Sequence, residues 1–170
     1  GPEIRIISPA QDNLWFGGPV RIEVQATDPS GVKQLTINSS VVTPVSGTYS
    51  ANLTLTEGAH TINIGATDNA NNSSSASRRV NIDLTPPVLV THLPSDGDTV
   101  DKNVTIQATL RDAGSGIAAD SIRMQVKGVG VTPQIQASGQ DYLVTYAQTF
   151  TAGELVEVNI TASDKVGKVL

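Results

Sequence analysis

The stretch Val20-Arg21-Ile22-Glu23-Val24-Gln25-Ala26-Thr27 alternates apolar and polar residues without a break. Successive side chains of a strand point to opposite faces, so Val20, Ile22, Val24 and Ala26 share one face and the polar residues the other. That is the pattern of a half-buried β-strand. Working outward, the same alternation returns in His60-Thr61-Ile62-Asn63-Ile64-Gly65-Ala66-Thr67, in Val104-Thr105-Ile106-Gln107-Ala108-Thr109-Leu110-Arg111, and in Val156-Glu157-Val158-Asn159-Ile160-Thr161-Ala162-Ser163. Turn-forming Gly, Pro, Asn, Asp and Ser residues punctuate the chain between strands. No stretch keeps helical spacing over the ten or so residues that a helix needs. The spacing predicts an all-β chain.

The runs form two copies. Pro9 corresponds to Pro94, Val20 to Val104, Asp28 to Asp112, Tyr49 to Tyr142 and Asp68 to Asp164. The offset grows from 84 at Asp28 to 96 at Asp68, so the second copy carries insertions in its middle. Between the copies lies Asp83-Leu84-Thr85-Pro86-Pro87, whose two prolines cannot extend a ladder and hold the backbone extended, as a short stiff linker would. About seven short strands per copy predict a β-sandwich in each, over residues 3–85 and 86–170. The expected core of the first is Val20, Ile22, Val24, Leu35, Ile37, Leu53, Ile62, Ile64, Ala66, Val80 and Ile82. That of the second is Val104, Ile106, Ala108, Ile122, Met124, Val126, Val158 and Ile160. Copy one runs on through a last strand near Ala76–Leu84, whereas copy two stops at Leu170 after its sixth main strand. The second sandwich is therefore expected to lack its final strand. Gly1-Pro2 has the form of a remnant of tag removal and carries no weight in the fold.

Composition narrows the function. Charged residues are 16% of the chain, and 11 basic against 16 acidic residues give a net charge of −5. Binding to phosphate backbones needs clustered Lys or Arg, and the only adjacent basic pair is Arg78-Arg79, inside an alternating segment. Nucleic acid and anionic membrane surfaces are not expected partners. Cysteine is absent, which removes disulfides, thiol nucleophiles and thiolate metal sites. No run approaches the roughly 18 apolar residues of a membrane span.

Several motifs go beyond periodicity. Copy one contains I-x-S-P-A (Ile6 to Ala10), A-T-D-x-S-G-V (Ala26 to Val32), G-x-H-T (Gly58 to Thr61) and A-T-D-x-A-x-N (Ala66 to Asn72). Copy two contains T-P-P (Thr85 to Pro87), L-P-S-D-G (Leu93 to Gly97), D-A-G-S-G-I (Asp112 to Ile117) and a turn at Asp164. With these residues the chain resembles the bacterial Ig-like domains that occur in tandem on adhesins, invasin-like proteins and extracellular glycan-degrading enzymes. The resemblance implies two tandem immunoglobulin-like β-sandwiches. It implies a non-catalytic module, a rigid stalk or spacer of an exported cell-surface protein, whose partners are neighbouring domains. A carbohydrate- or protein-binding module for a glycan or surface protein is the alternative, as is an accessory domain of a secreted glycan-degrading enzyme.

Candidate chemistry is sparse. His60 and His92 are the only histidines; His60 aligns with Val156 on an apolar strand face and is expected to pack rather than act as a base. No nucleophile elbow, phosphate loop or metal-binding histidine spacing occurs, so no enzyme and no cofactor is expected. The acidic turns offer more. Strand direction places the B–C and F–G loops at the N-terminal end of such a sandwich, so Asp28 and Asp68 should crown copy one. Asp112 and Asp164 should crown copy two, facing the linker that carries Asp83. Three carboxylates, Asp83, Asp112 and Asp164, converging there could hold calcium, which takes 6 to 8 oxygen ligands. Alternatively each Asp caps its own turn. Trp15-Phe16, the one adjacent aromatic pair, should place at least one ring in the core, leaving the other as a contact or a sugar-stacking surface. Sequons at Asn38, Asn52, Asn71, Asn72, Asn103 and Asn159 follow from a composition rich in Asn, Ser and Thr.

Overall fold

The computed structural model describes residues 1–170, which form two units, Gly1–Leu84 and Thr85–Leu170. In the first, the alternation becomes β1 (Glu3–Ser8), β2 (Leu14–Phe16), β3 (Val20–Thr27), β4 (Val32–Ile37), β5 (Ser40–Val42), β6 (Tyr49–Leu53), β7 (Gly58–Asp68) and β8 (Ser73–Ile82). One sheet has the order β1-β3-β6, the other β2-β8-β7-β4-β5. All pairings are antiparallel except β2 with β8.

Period-two alternation sets what lies between the sheets. Along β3 the residues Val20, Ile22 and Val24 are wholly buried; along β7 so are Ile62, Ile64 and Ala66, and Val80 and Ile82 close the core from β8. Leu35, Ile37 and Tyr49 complete it. Of the expected core only Leu53 is merely half-buried, because it ends β6, an edge strand.

The second unit contains β9 (Val88–Leu93), β10 (Asn103–Arg111), a 3₁₀ turn (Ala119–Ser121), β11 (Arg123–Val126), β12 (Val129–Val131), β13 (Gln134–Ser138), β14 (Asp141–Thr149) and β15 (Val158–Thr161). Its sheets run β9-β10-β14-β13 and β12-β11-β15. The mid-copy insertion is β13, which pairs with β14 through Gln134–Thr145 to Ser138–Asp141 and widens that sheet by one strand. Register revises one sequence correspondence. Tyr49 stands opposite Val24, and the residue opposite the equivalent Ala108 is Val144, not Tyr142.

The second core is Ile106, Ala108, Leu110, Ile117, Ile122, Met124, Val126, Val144 and Ala162. Three expected members fall short. Val104 and Ile160 are half-buried, and Val158 is 38% exposed. The cause is one neighbouring strand: β7 lies between β4 and β8, whereas its counterpart β15 pairs with β11 alone.

Candidate functional site

The four recurrent aspartates mark the same loops in both copies. Asp28 directly follows β3 of copy one, where Oδ1 accepts from the Ser30 N–H at 2.8 Å and the Ser30 hydroxyl at 2.6 Å. Its counterpart Asp112 is buried, and Oδ1 accepts from the N–H groups of Gly114 (3.1 Å) and Gly116 (2.7 Å). Both are side-chain caps on a turn of their own chain. Gly31 and Gly116 hold φ of +85° and +84°, which glycine adopts without a side-chain clash.

These loops are tied to the second pair of aspartates by equivalent backbone bonds. The Asn69 N–H donates to Gly31 O at 3.0 Å, and the Lys165 N–H to Gly116 O at 2.9 Å. Asp68 lies opposite Val32 and Asp164 opposite Ile117. Within the second domain, Asp112 and Asp164 thereby bring carboxylate oxygens within 4.8 Å of one another.

Asp68 and Asp164 differ in how completely they are satisfied. Asp68 Oδ1 accepts from the Asn72 backbone N–H at 2.8 Å, and Oδ2 from the Asn72 side-chain amide at 2.9 Å. The Asn72 side chain, before the backbone N–H groups of Asn72 and Ala70, holds the Asp68 carboxyl below its ordinary value. Asp164 Oδ1 likewise accepts from the N–H groups of Val166 (2.9 Å) and Lys168 (2.8 Å). Lys168, at the place of Asn72, offers no amide, and Asp164 Oδ2 is buried with no hydrogen-bond partner. Sequence could have flagged this: the motif's closing Asn, Asn72, has become Lys168.

Asp83, the third expected carboxylate, directly follows β8 in the first domain. It is fully buried, and its N–H donates to Phe16 O at 3.0 Å.

Of the aromatic pair, Phe16 is the half-buried ring packed on the first core, and Trp15 is the exposed one at 42%. Both lie on β2, which pairs with the end of β8. The loop before β2 is held by Asp12, whose Oδ1 accepts from the Arg79 N–H at 2.9 Å and lies 3.4 Å from the Arg78 guanidinium. That backbone bond and the Arg78 charge lower the Asp12 pKa against the opposing effect of desolvation.

The histidines are engaged locally. His60 sits half-buried on the inward face of β7, its Nε2 2.8 Å from Thr56 O, and exposed His92 places Nδ1 3.0 Å from Pro94 O. Lys33 is exposed and donates to Asn71 Oδ1 at 2.7 Å. No helix is long and apolar enough to cross a membrane.

Comparison with known proteins places these features. Residues 2–64 match the family model of the bacterial Ig domain. No curated protein sequence matches the chain. Among solved structures, "Rst D1-D2" is similar with a TM-score of 0.50 at 11% identity, over 98% of this chain and 96% of that one. The fibronectin(III)-like modules of Clostridium thermocellum CbhA align over 98% of this chain and 88% of theirs, with a TM-score of 0.46 and 15% identity. The tandem Ig repeats of Dlar align over 99% and 93%, with a TM-score of 0.35 and 13% identity. At such identities the likeness concerns fold alone, and the family match covers residues 2–64: the chain has an immunoglobulin-like β-sandwich fold, with its first part similar to the bacterial Ig domain.

Proposed function

We propose that the chain is a non-catalytic structural module, a stiff spacer of an exported cell-surface protein of the adhesion type. One observation supports this most. The residues the two copies share are core residues, such as Ile22 with Ile106 and Ala66 with Ala162, or turn caps, such as Asp28 with Asp112. What is repeated is scaffold, while exposed strand positions differ at Arg21 with Thr105 and at Thr61 with Glu157. A spacer works by transmitting orientation, which Pro86-Pro87 favours by restricting the backbone between the domains. Nuclear spin relaxation of the whole chain tests this. One shared tumbling time for both domains is expected, and two independent, shorter times would overturn the stiff spacer.

A binding role is the second reading, favoured by Trp15, whose exposed indole offers a flat face for a sugar ring or a partner's apolar side chain. Trp15→Ala should then abolish retention of the chain on a glycan or target surface while leaving the melting profile within a few degrees of wild type.

A calcium ion at the pole of the second domain fits the same structural role. Burying a carboxylate oxygen without a donor is costly, and a hard cation with oxygen ligands is one way to satisfy it. Asp164 Oδ2 beside Asp112 has that character. Asp83→Asn decides separately whether the third expected carboxylate takes part, since the calcium response changes only if Asp83 is a ligand.

A further inference from the structure

Trp15 stands at the end of a row on the outward face of the five-stranded sheet. Val80 and Ile82 of β8 point into the core, so Ser77, Arg79 and Asn81 point outward. Trp15 lies beside Asn81, Thr61 beside Arg79, and Asn63 beside Ser77. Neighbouring strands are about 4.8 Å apart, and alternate residues of one strand roughly 7 Å apart. The indole, the guanidinium and the hydroxyls and amides next to them are therefore offered together, as one surface of the first domain.

Bonds on both sides of Trp15 hold it there. The Asn13 N–H donates to Arg79 O at 2.9 Å, the Asn81 side-chain amide to Asn13 O at 3.0 Å, and the Asp83 N–H to Phe16 O at 3.0 Å. A surface ordered in advance loses little freedom on binding. Arg79 is exposed, and its guanidinium makes no hydrogen bond or ion pair. The two carboxylates that flank the row are engaged elsewhere. Asp12 takes the Arg78 guanidinium and the backbone N–H of Arg79, and Glu57 accepts from the Leu84 N–H at 2.8 Å. In a chain of net charge −5, the outward residues of β2, β7 and β8 carry a single charge, the positive one of Arg79.

We propose that Trp15 and Arg79 form a binding site for a glycan that carries carboxylated sugars. The indole stacks on the C–H face of one ring. The guanidinium donates two parallel N–H bonds to the carboxylate. Thr61, Asn63, Ser77 and Asn81 exchange hydrogen bonds with the sugar hydroxyls. A sugar chain fits this surface better than a protein partner does, because the neighbours of the indole present hydroxyls and amides rather than the apolar anchors of an interface core. The site rests on the reading of Trp15 as a binding surface and adds to it Arg79 and the charge of the ligand.

Trp15 is the chain's one tryptophan, so intrinsic fluorescence reports on this site alone. The whole chain is titrated with oligogalacturonate and with oligosialate, and with the methyl ester of each, which keeps the sugar and removes its charge. Calorimetry gives the affinities of the variants, Trp15→Ala included. At least one acidic form should bind and shift the emission, and the one that binds assigns the source of the carboxylate. Its affinity should fall about tenfold or more in the methyl ester and in Arg79→Gln. Arg79→Lys, which keeps the charge without the paired bonds, should bind between Arg79→Gln and wild type. Arg5→Gln removes the same charge from an exposed position on the other sheet and should bind as wild type does. No loss in Arg79→Gln, or an equal loss in Arg5→Gln, overturns the pairing. Acid and ester that bind alike, both lost in Trp15→Ala, overturn the acidic class and leave Trp15 as a sugar-binding surface. Binding of no form, or binding untouched by Trp15→Ala, overturns the site and that reading of Trp15 together.

Discussion

Ile62 and Val158 hold the same place in the two copies, yet Ile62 is fully buried and Val158 is 38% exposed. Each is followed two residues on by an isoleucine, Ile64 and Ile160, and then by Ala66 and Ala162 before the aspartate turn. Chemistry and alternation are the same, so the difference is tertiary: β8 lies beside β7, and β15 lacks its equivalent.

Truncating the two residues should therefore have unequal effects. Ile62→Ala removes fully packed methylenes and is expected to destabilise the first domain by about 2–5 kcal/mol. Val158→Ala removes atoms already partly in water and should destabilise the second domain by about 1 kcal/mol or less. Calorimetry with the two transitions assigned by these variants checks this; equal losses would mean that Val158 is packed in solution.

Acid stability of the first domain should depend on Asp68. Its folded pKa lies below the ordinary 3.8 chiefly because the Asn72 side-chain amide binds the charged form. A carboxyl depressed in the folded state contributes stability that is fully present above its unfolded pKa and is lost as pH falls through the folded value. Asn72→Ala should bring the Asp68 pKa back toward 3.8 and move acid unfolding of the first domain to higher pH, with little change at neutral pH beyond the lost hydrogen bond. Carbon-detected titration of the Asp68 carboxyl reads the shift directly. An unmoved titration would show that the backbone donors alone hold it down.

The strands were legible because alternation depends on local chemistry: Val20, Ile22 and Val24 face inward whatever surrounds them. The repeat carried the fold further, locating the turns. Side-chain placement at the margins was not legible. Val158 follows the inward pattern faithfully, and only the absence of a neighbouring strand exposes it. For Trp15 and Phe16 the sequence held two equivalent rings, and only the pairing of β2 with β8 decides that Phe16 packs while Trp15 faces water. The aspartates were found as turn residues, but the unequal satisfaction of Asp68 and Asp164 rests on a single change, Asn72 to Lys168, whose consequence needs the turn geometry.

That change supplies the sharpest test of the cation proposed for the second domain. Asp164→Ala should destabilise this domain by about 1–3 kcal/mol in chelator, because the N–H groups of Val166 and Lys168 lose their acceptor, and by more in calcium, because the ion's ligand is lost as well. Lys168→Asn behaves differently. It restores the copy-one arrangement, in which the side-chain amide donates to Oδ2, so it should stabilise the domain in chelator by about 1 kcal/mol. It should also weaken the calcium response, since the amide then competes with the ion for the same oxygen. For the wild type, calcium that binds only the folded state adds RT ln(1 + [L]/Kd), about 2.7 kcal/mol at a hundredfold excess over Kd. On a domain of this size that is a rise on the order of 10 °C or more in melting temperature. Thermal melts of wild type and Lys168→Asn, each in calcium and in chelator, separate the cases. Coincident wild-type melts would eliminate the ion and leave Asp164 as a turn cap alone. A calcium-dependent rise in the wild type that shrinks in Lys168→Asn would assign the ion to Asp164 Oδ2.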